Sequence, residues 1–104
     1  MSNYEITDLL TLVTTEHAEA LSLHTGELPV VHLGGEPHLI EGPPITPETA
    51  ERLLRSLATS RQVQEFGEQR SAEFIFTFRD STQFRVQARK HHDQIHLELQ
   101  RILA

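Results

Sequence analysis

The chain has 104 residues, of which 38% are apolar and 23% charged, as is typical of one folded domain spanning residues 1–104. It contains no cysteine, which excludes disulfides and thiol chemistry, and its net charge of −6 disfavours binding to DNA or RNA. Residues 1–5 show no basic or apolar leader and no segment is long and apolar enough for a membrane span, so we expect a cytoplasmic protein without membrane insertion.

A short amphipathic helix and a first strand open the chain. Ser2 and Glu5 have the spacing of a capping box, which predicts that the helix begins there. Apolar side chains then recur at helical spacing at Ile6, Leu9, Leu10 and Val13. Residues 21–24 alternate between leucine and a polar residue, which predicts a strand with one polar face.

A hairpin follows this first strand. Residues 30–33 resume an extended pattern and predict a second strand. The pair Gly34-Gly35 supplies the positive backbone angles of a two-residue turn, which folds residues 37–40 back as a third strand. Because Pro37 cannot donate a backbone hydrogen bond, we expect this strand at an edge of the sheet.

Two helices are predicted next. Thr46 and Pro47 predict the cap and the first turn of the longer one. Its buried stripe comprises Ala50, Leu53, Leu54, Leu57 and Ala58. Ser60 is expected to cap a further short helix, which Gly67 ends.

The last third of the chain predicts three antiparallel strands. Apolar residues alternate with polar ones over 74–78, 84–89 and 95–100, with turns at 80–82 and 91–93. One face of these strands is apolar and needs a cover of helices. The expected fold is α+β, an antiparallel sheet with helices packed on one face, in the order α-β-β-β-α-α-β-β-β.

Two arginines, Arg85 and Arg101, fall on neighbouring C-terminal strands. A guanidinium offers a rigid fork of donors that matches the oxygens of a phosphate. The chain has no glycine-rich phosphate cradle ending in Lys-Ser or Lys-Thr, so a nucleotide at these arginines would be bound by another polypeptide. Strict alternation places Arg101 on the face of Leu99, so either the strand ends at Gln100 or a bulge redirects the arginine.

A polar strip on the strand of Arg85 is the candidate partner-facing surface. It comprises Gln83, Arg85, Gln87 and Arg89. Arginine is enriched at protein interfaces, which favours a docking role for this strip. In the alternative interpretation, Arg85 and Arg89 are solvated residues paired with acidic neighbours such as Glu98.

Neither a metal site nor a catalytic site is predicted. His91, His92 and His96 flank one turn, but adjacent residues of a strand point to opposite faces, so at most two of them converge. The carboxylates lie on helix and turn surfaces without a Ser-His-Asp pattern. We therefore expect no cofactor and no catalytic residue.

Four segments carry a resemblance to a known family. They are residues 6–10 (Ile-Thr-Asp-Leu-Leu), 21–23 (Leu-Ser-Leu) leading to 28–35 (Leu-Pro-Val-Val-His-Leu-Gly-Gly), 84–88 (Phe-Arg-Val-Gln-Ala) and 99–102 (Leu-Gln-Arg-Ile). In this order they resemble the N-terminal, PAS-like domain of the hexameric motor ATPases of type IV pili and type II secretion, in particular the twitching-motility pilus-retraction (PilT) type. The resemblance covers nearly the whole chain.

The resemblance implies a PAS-like fold and a role beside a RecA-like ATPase domain. By residue match, Arg85 and Arg101 correspond to family arginines that reach the nucleotide bound by that domain. Two segments differ from the family pattern. Residues 18–22 are Ala-Glu-Ala-Leu-Ser instead of Ala-Ser-Asp-Leu-His, and residues 32–35 are His-Leu-Gly-Gly instead of Arg-Val-Asp-Gly.

Two classes of function are compatible with this sequence. The first is a non-catalytic interaction module that docks on a RecA-like hexameric ATPase or associates with itself. The second is a small PAS-like sensor whose phenylalanines line a ligand pocket between sheet and helices. A packed core beneath an exposed face of Arg85 and Arg89 would favour the docking module.

Overall fold

The computed structural model describes residues 4–79 and 82–102, which form three helices and a six-stranded antiparallel sheet. The helices are α1 (Ile6–Thr15), α2 (Pro47–Leu57) and α3 (Ser60–Gln69). The strands are β1 (Ala20–His24), β2 (Val30–Leu33), β3 (Glu36–Leu39), β4 (Ser71–Thr77), β5 (Gln83–His91) and β6 (Gln94–Ile102). The predicted α+β class and element order are confirmed.

The strand order in the sheet is β3-β2-β1-β6-β5-β4. The N-terminal strands and the C-terminal strands meet where β1 pairs with β6, from Ala20 opposite Gln100 to His24 opposite His96. Pro37 lies in β3, which is an edge strand as predicted, so its missing N–H interrupts no ladder on the outer side.

The helices cover one face of the sheet and leave the other uncovered. Helix α2 packs on β6, α3 packs on β4, and α1 packs on α2. Alternate residues of β5 and β6 are therefore buried, and Phe84, Leu97 and Leu99 have no exposed surface. Most of the predicted helix stripes are also buried, with Leu10, Val13 and Leu53 at 0% exposure. Ala58 is the exception: α2 ends at Leu57, and Ala58 is its partly buried C-cap. No helix of the described residues is long and apolar enough to cross a membrane.

Helix α1 begins one turn later than the predicted capping box placed it. Its N-cap is Glu5, whose backbone is extended at φ −113° and ψ 135°, and no side chain caps the helix. In the predicted box Glu5 would already have a helical backbone. Ser2, the predicted cap, lies outside the described residues.

Both ends of helix α3 differ from the prediction. Its N-cap is Thr59 rather than Ser60, because Thr59 and Gln62 form a reciprocal capping box. The helix continues past Gly67 to Gln69, and Arg70 closes it in the left-handed region at φ 63° with its N–H bonded to the carbonyl of Phe66.

The turns around β5 also need correction. Strand β5 extends to His91, so the second turn is formed by His92 and Asp93 alone, with His92 at φ 58°. The predicted turn at 80–82 falls partly outside the described residues, at Asp80 and Ser81. At its end, Phe78 N–H donates to the carbonyl of Thr82 at 2.7 Å.

We expect Gly67→Ala to raise the free energy of unfolding by about 0.5–1 kcal/mol, because glycine loses more backbone entropy than alanine inside a helix. A Cβ added at Gly67 would meet no atom within 4 Å, so no clash offsets the gain. Urea denaturation of both proteins measures the difference.

Gly35→Ala is the matched control, since Gly35 lies at φ +83° in the hairpin turn. A left-handed backbone disfavours alanine, so this variant should be less stable than the parent. A loss of stability in Gly67→Ala would contradict its placement inside α3.

Candidate functional site on the open face of the sheet

The uncovered side of the sheet, called here the open face, presents three rows of side chains across β1, β6 and β5. The Arg89 row consists of His24, His96 and Arg89, which lie opposite one another in the ladders. The Glu98 row consists of Ser22, Glu98 and Gln87, and the Arg85 row of Ala20, Gln100 and Arg85. These positions share one face because residues two apart on a strand point the same way.

Hydrogen bonds join the middle of the open face. The Ser22 hydroxyl donates to Glu98 Oε1 at 2.7 Å and lies 2.9 Å from His32 Nε2. Because that hydroxyl has one proton, His32 Nε2 must donate to Ser22 Oγ. His24 Nε2 lies 2.5 Å from Glu98 Oε2, so both carboxylate oxygens of Glu98 accept a hydrogen bond. This cluster links β2, β1 and β6.

Arg85 and Arg89 are both exposed, as predicted, but differ in their neighbours. Arg85 Nε lies 3.6 Å from Glu73 Oε2 on β4, and about half of each side chain is exposed. Glu98, the predicted acidic neighbour, is instead bound by Ser22 and His24. Within residues 4–79 and 82–102, Arg89 has no ion pair.

Arg101 lies on the opposite face of the sheet from Arg85. Strand β6 continues to Ile102, and Arg101 stands opposite Phe84, whose side chain is buried under the helices. The register is regular up to Gln83 opposite Ile102, so neither the predicted strand end at Gln100 nor a bulge is present. Arg85 and Arg101 therefore do not converge on one face.

Two depressions flank the Glu98 row. The Arg85 depression, about 490 Å³, is lined by Glu19, Ala20, His32, Gly35, Arg85, Gln87, Glu98, Leu99 and Gln100. The Arg89 depression, about 270 Å³, is lined by His24, Gln87, Arg89, His96 and Glu98. Gln87 and Glu98 line both and stand between them. Each depression thus has its own arginine.

Only two of the three histidines at the β5–β6 turn come together. The rings of His91 and His92 contact each other edge to face at 4.3 Å. His96 contacts His24 of β1 instead, with ring centroids 4.7 Å apart. In the part of the chain that the structure describes, no group of three or more histidine or carboxylate side chains is arranged to hold a metal ion.

Sequence reasoning missed the cluster of Ser22, His24, His32 and Glu98. The alternation in residues 21–24 and 95–100 showed that these side chains lie on polar strand faces. It did not show that β1 and β6 are neighbours, and this pairing brings Ser22 to Glu98 across 76 residues of sequence.

The fold has solved relatives, although no family model matches the chain and no curated protein matches it by sequence. The crystal structure of the pilus retraction motor PilT with bound ADP superimposes with a TM-score of 0.86 at 21% identity. That match covers 98% of this chain and 30% of the PilT chain. The chain has the fold of a segment of PilT.

Two structures of the ATPase DotB share this fold. The proteins from Legionella pneumophila and Yersinia pseudotuberculosis match with TM-scores of 0.83 and 0.79 at 17% and 11% identity. They cover 100% and 99% of this chain, but only 31% and 32% of their own chains are matched. The chain therefore spans about a third of the length of these structures. At these identities the likeness shows the fold alone.

Proposed function

We propose that the chain is a non-catalytic docking module that binds a RecA-like motor ATPase through the open face of its sheet. The observation that carries this proposal is the asymmetry of the sheet. One face is closed by helices, and the other presents the exposed Arg85 and Arg89, over which no helix or strand of the described residues packs. The solved proteins that share the fold, PilT and DotB, are a motor and an ATPase, which supports such a partner.

Arg85 is the residue expected to contact the partner most strongly. Its distance of 3.6 Å from Glu73 and the exposure of both side chains make that pair weak. An incoming phosphate or carboxylate can therefore replace Glu73 at small cost and accept two parallel hydrogen bonds from the guanidinium. Gln83, Gln87 and Arg89 are exposed on the same face and extend the proposed contact surface.

The role of Arg101 stays a prediction from the family resemblance. Its position opposite Phe84 means that it would meet a partner from the helix side, at the end of β6. A partner bound flat on the open face would contact Arg85 without Arg101. Self-association through the open face is the alternative form of the same docking proposal.

The packed core favours docking over ligand sensing. Phe84 has no exposed surface, and Phe66 and Phe74 are at 4% and 9%. These rings fill the space between sheet and helices together with leucine and valine side chains. Three of the phenylalanines that would line a sensor pocket are thus part of the core, and Phe76 and Phe78 pack against it while only partly buried.

We expect Arg85→Ala to weaken binding to a hexameric ATPase of the pilus-retraction type by about tenfold, because an interfacial arginine truncation removes charge-assisted hydrogen bonds. The same change should leave the free energy of unfolding within about 0.5 kcal/mol of the parent, since the side chain is exposed. Biolayer interferometry against the purified ATPase, with and without nucleotide, measures the first quantity, and urea denaturation measures the second.

Two further variants control this test. Arg61→Ala removes an equal charge from α3, where the side chain is 89% exposed, and should bind like the parent. Arg85→Lys keeps the charge but loses the fork, so it should restore only part of the affinity. An Arg85→Ala protein that unfolds, or binds as tightly as the parent, would contradict the proposal.

A further inference from the structure

The Arg89 row places three nitrogen-bearing side chains side by side on neighbouring strands. Arg89 of β5 lies opposite His96 of β6, and His96 lies opposite His24 of β1. Neighbouring strands are about 4.8 Å apart, so the three side chains stand above a short straight line. They line a depression of about 270 Å³ that opens to solvent on the open face.

The carboxylates around the depressions of the open face already have partners. Glu98 accepts from Ser22 and His24, and Glu73 lies beside Arg85. Glu19 Oε1, at the far end of the Arg85 depression, accepts from the N–H of Gly35 at 3.0 Å. Arg89 alone among the charged side chains of the three rows forms no ion pair within the described residues, although Glu98 lines the same depression and Glu73 lines a neighbouring one. Its guanidinium donors are therefore open to a ligand.

We infer that the Arg89 row binds a tetrahedral oxyanion of the phosphate class, at a site distinct from that of Arg85. The guanidinium can donate two parallel hydrogen bonds to such a group, and His96 can donate one from a ring nitrogen. The depression is large enough for a phosphate that carries a small organic substituent. This inference does not rest on the docking proposal, which depends on Arg85, although Arg89 and Gln87 also belong to the proposed contact surface.

Glu98 is the carboxylate that lines this depression, and its Oε2 is already bonded to His24 Nε2. On the neighbouring strand β4, Ser71 lies opposite Arg89, and Glu73 lies beside Arg85.

Sulfate is the appropriate first probe, because it is a tetrahedral dianion. Sodium sulfate is titrated into the ¹⁵N-labelled full chain at constant ionic strength. We expect saturable shifts in the amide signals of Arg89, His96 and His24 and in the imidazole signals of the two histidines. Arg89→Gln should weaken binding by about tenfold or more, the effect of losing a charge-assisted pair.

Matched variants locate the site. Arg61→Gln makes the same charge change on α3 and should alter the dissociation constant by less than about twofold. His96→Gln should weaken binding less than Arg89→Gln does, because it removes one ring donor and leaves the guanidinium in place. All variants are checked for a native amide spectrum. Equal affinity in Arg89→Gln, or a loss in Arg85→Gln instead, would overturn the inference. If Arg85→Ala bound the ATPase as tightly as the parent, the docking proposal would be wrong, but the inferred anion site at Arg89 would not be affected.

Two further titrations distinguish a free phosphate ion from a phosphate ester as the ligand. Inorganic phosphate and phenyl phosphate are compared at the same pH in the parent and in Arg89→Gln. Tighter binding of the ester supports a larger phosphorylated ligand, and equal binding supports the free ion. Binding of both that is independent of Arg89 would overturn the inference.

Discussion

Phe84→Ala should lower the free energy of unfolding by about 3–5 kcal/mol, because it removes a large, fully enclosed ring from the core. Phe84 has no exposed surface and lies on β5 between Phe76 of β4 and Arg101 of β6, beneath the helices. The helices and strands around it cannot close the resulting cavity completely, so lost contacts add to the lost burial. Urea denaturation followed by circular dichroism gives the difference.

Substitutions of two neighbouring residues on β4 serve as controls for Phe84→Ala. Ile75 is 50% exposed on the open face, so Ile75→Ala should cost less than about 1 kcal/mol. Phe76 is only partly buried, near the sheet edge, so Phe76→Ala should fall between the two. If Phe84→Ala cost no more than Ile75→Ala, the assignment of the covered and open faces would be wrong.

Local chemistry made most of the elements predictable. The alternation in 84–89 assigned Phe84 and Arg85 to opposite faces, because side chains alternate along every strand. Gly34 and Gly35 have φ values of 59° and 83°, as the predicted two-residue hairpin turn requires. Thr46 caps α2 through the N–H of Thr49, and Pro47 begins the helix. In each case the sequence pattern and the structural feature that it predicts lie within a few residues of each other.

The ends of α3 show where a local signal fails. Gly67 has the residue type of a helix stop, but a stop requires a left-handed backbone, and Arg70 adopts it instead. The next residue, Ser71, begins β4 opposite Arg89. The position at which the chain must enter the sheet thus sets the end of the helix, at the cost of a strained arginine.

The candidate site depended on information that the sequence does not carry locally. Arg85 and Arg89 could be assigned to an exposed face from alternation alone. The pairing of β1 with β6, which joins the two halves of the sheet, could not be predicted in this way. No short motif specifies which strands pair across 76 residues. The same pairing fixes the surroundings of Glu98 and shows that Arg101 belongs to the covered face.

Ser22→Ala should lower the free energy of unfolding by about 1–3 kcal/mol, because it leaves two hydrogen-bonding groups without their partner. Ser22 is 9% exposed, and its hydroxyl lies between His32 Nε2 and Glu98 Oε1. Part of the loss can be recovered by water, since the Glu98 side chain is 45% exposed. Ser56→Ala is the control, because the Ser56 hydroxyl bonds only to the carbonyl of Arg52 on the exposed side of α2.

A double-mutant cycle with Glu98→Ala decides whether the loss comes from this cluster. If Ser22 acts through Glu98, the two changes together should cost less than the sum of each alone, by about 0.5 kcal/mol or more. Additive losses would show that Ser22 contributes only through its own packing. Glu98 of this cluster also stands, with Gln87, between the Arg85 and Arg89 depressions. Ser22→Ala should therefore disturb the amide signals of Gln87, which lies opposite Glu98 on β5, and leave those of the covered face near Phe66 unchanged.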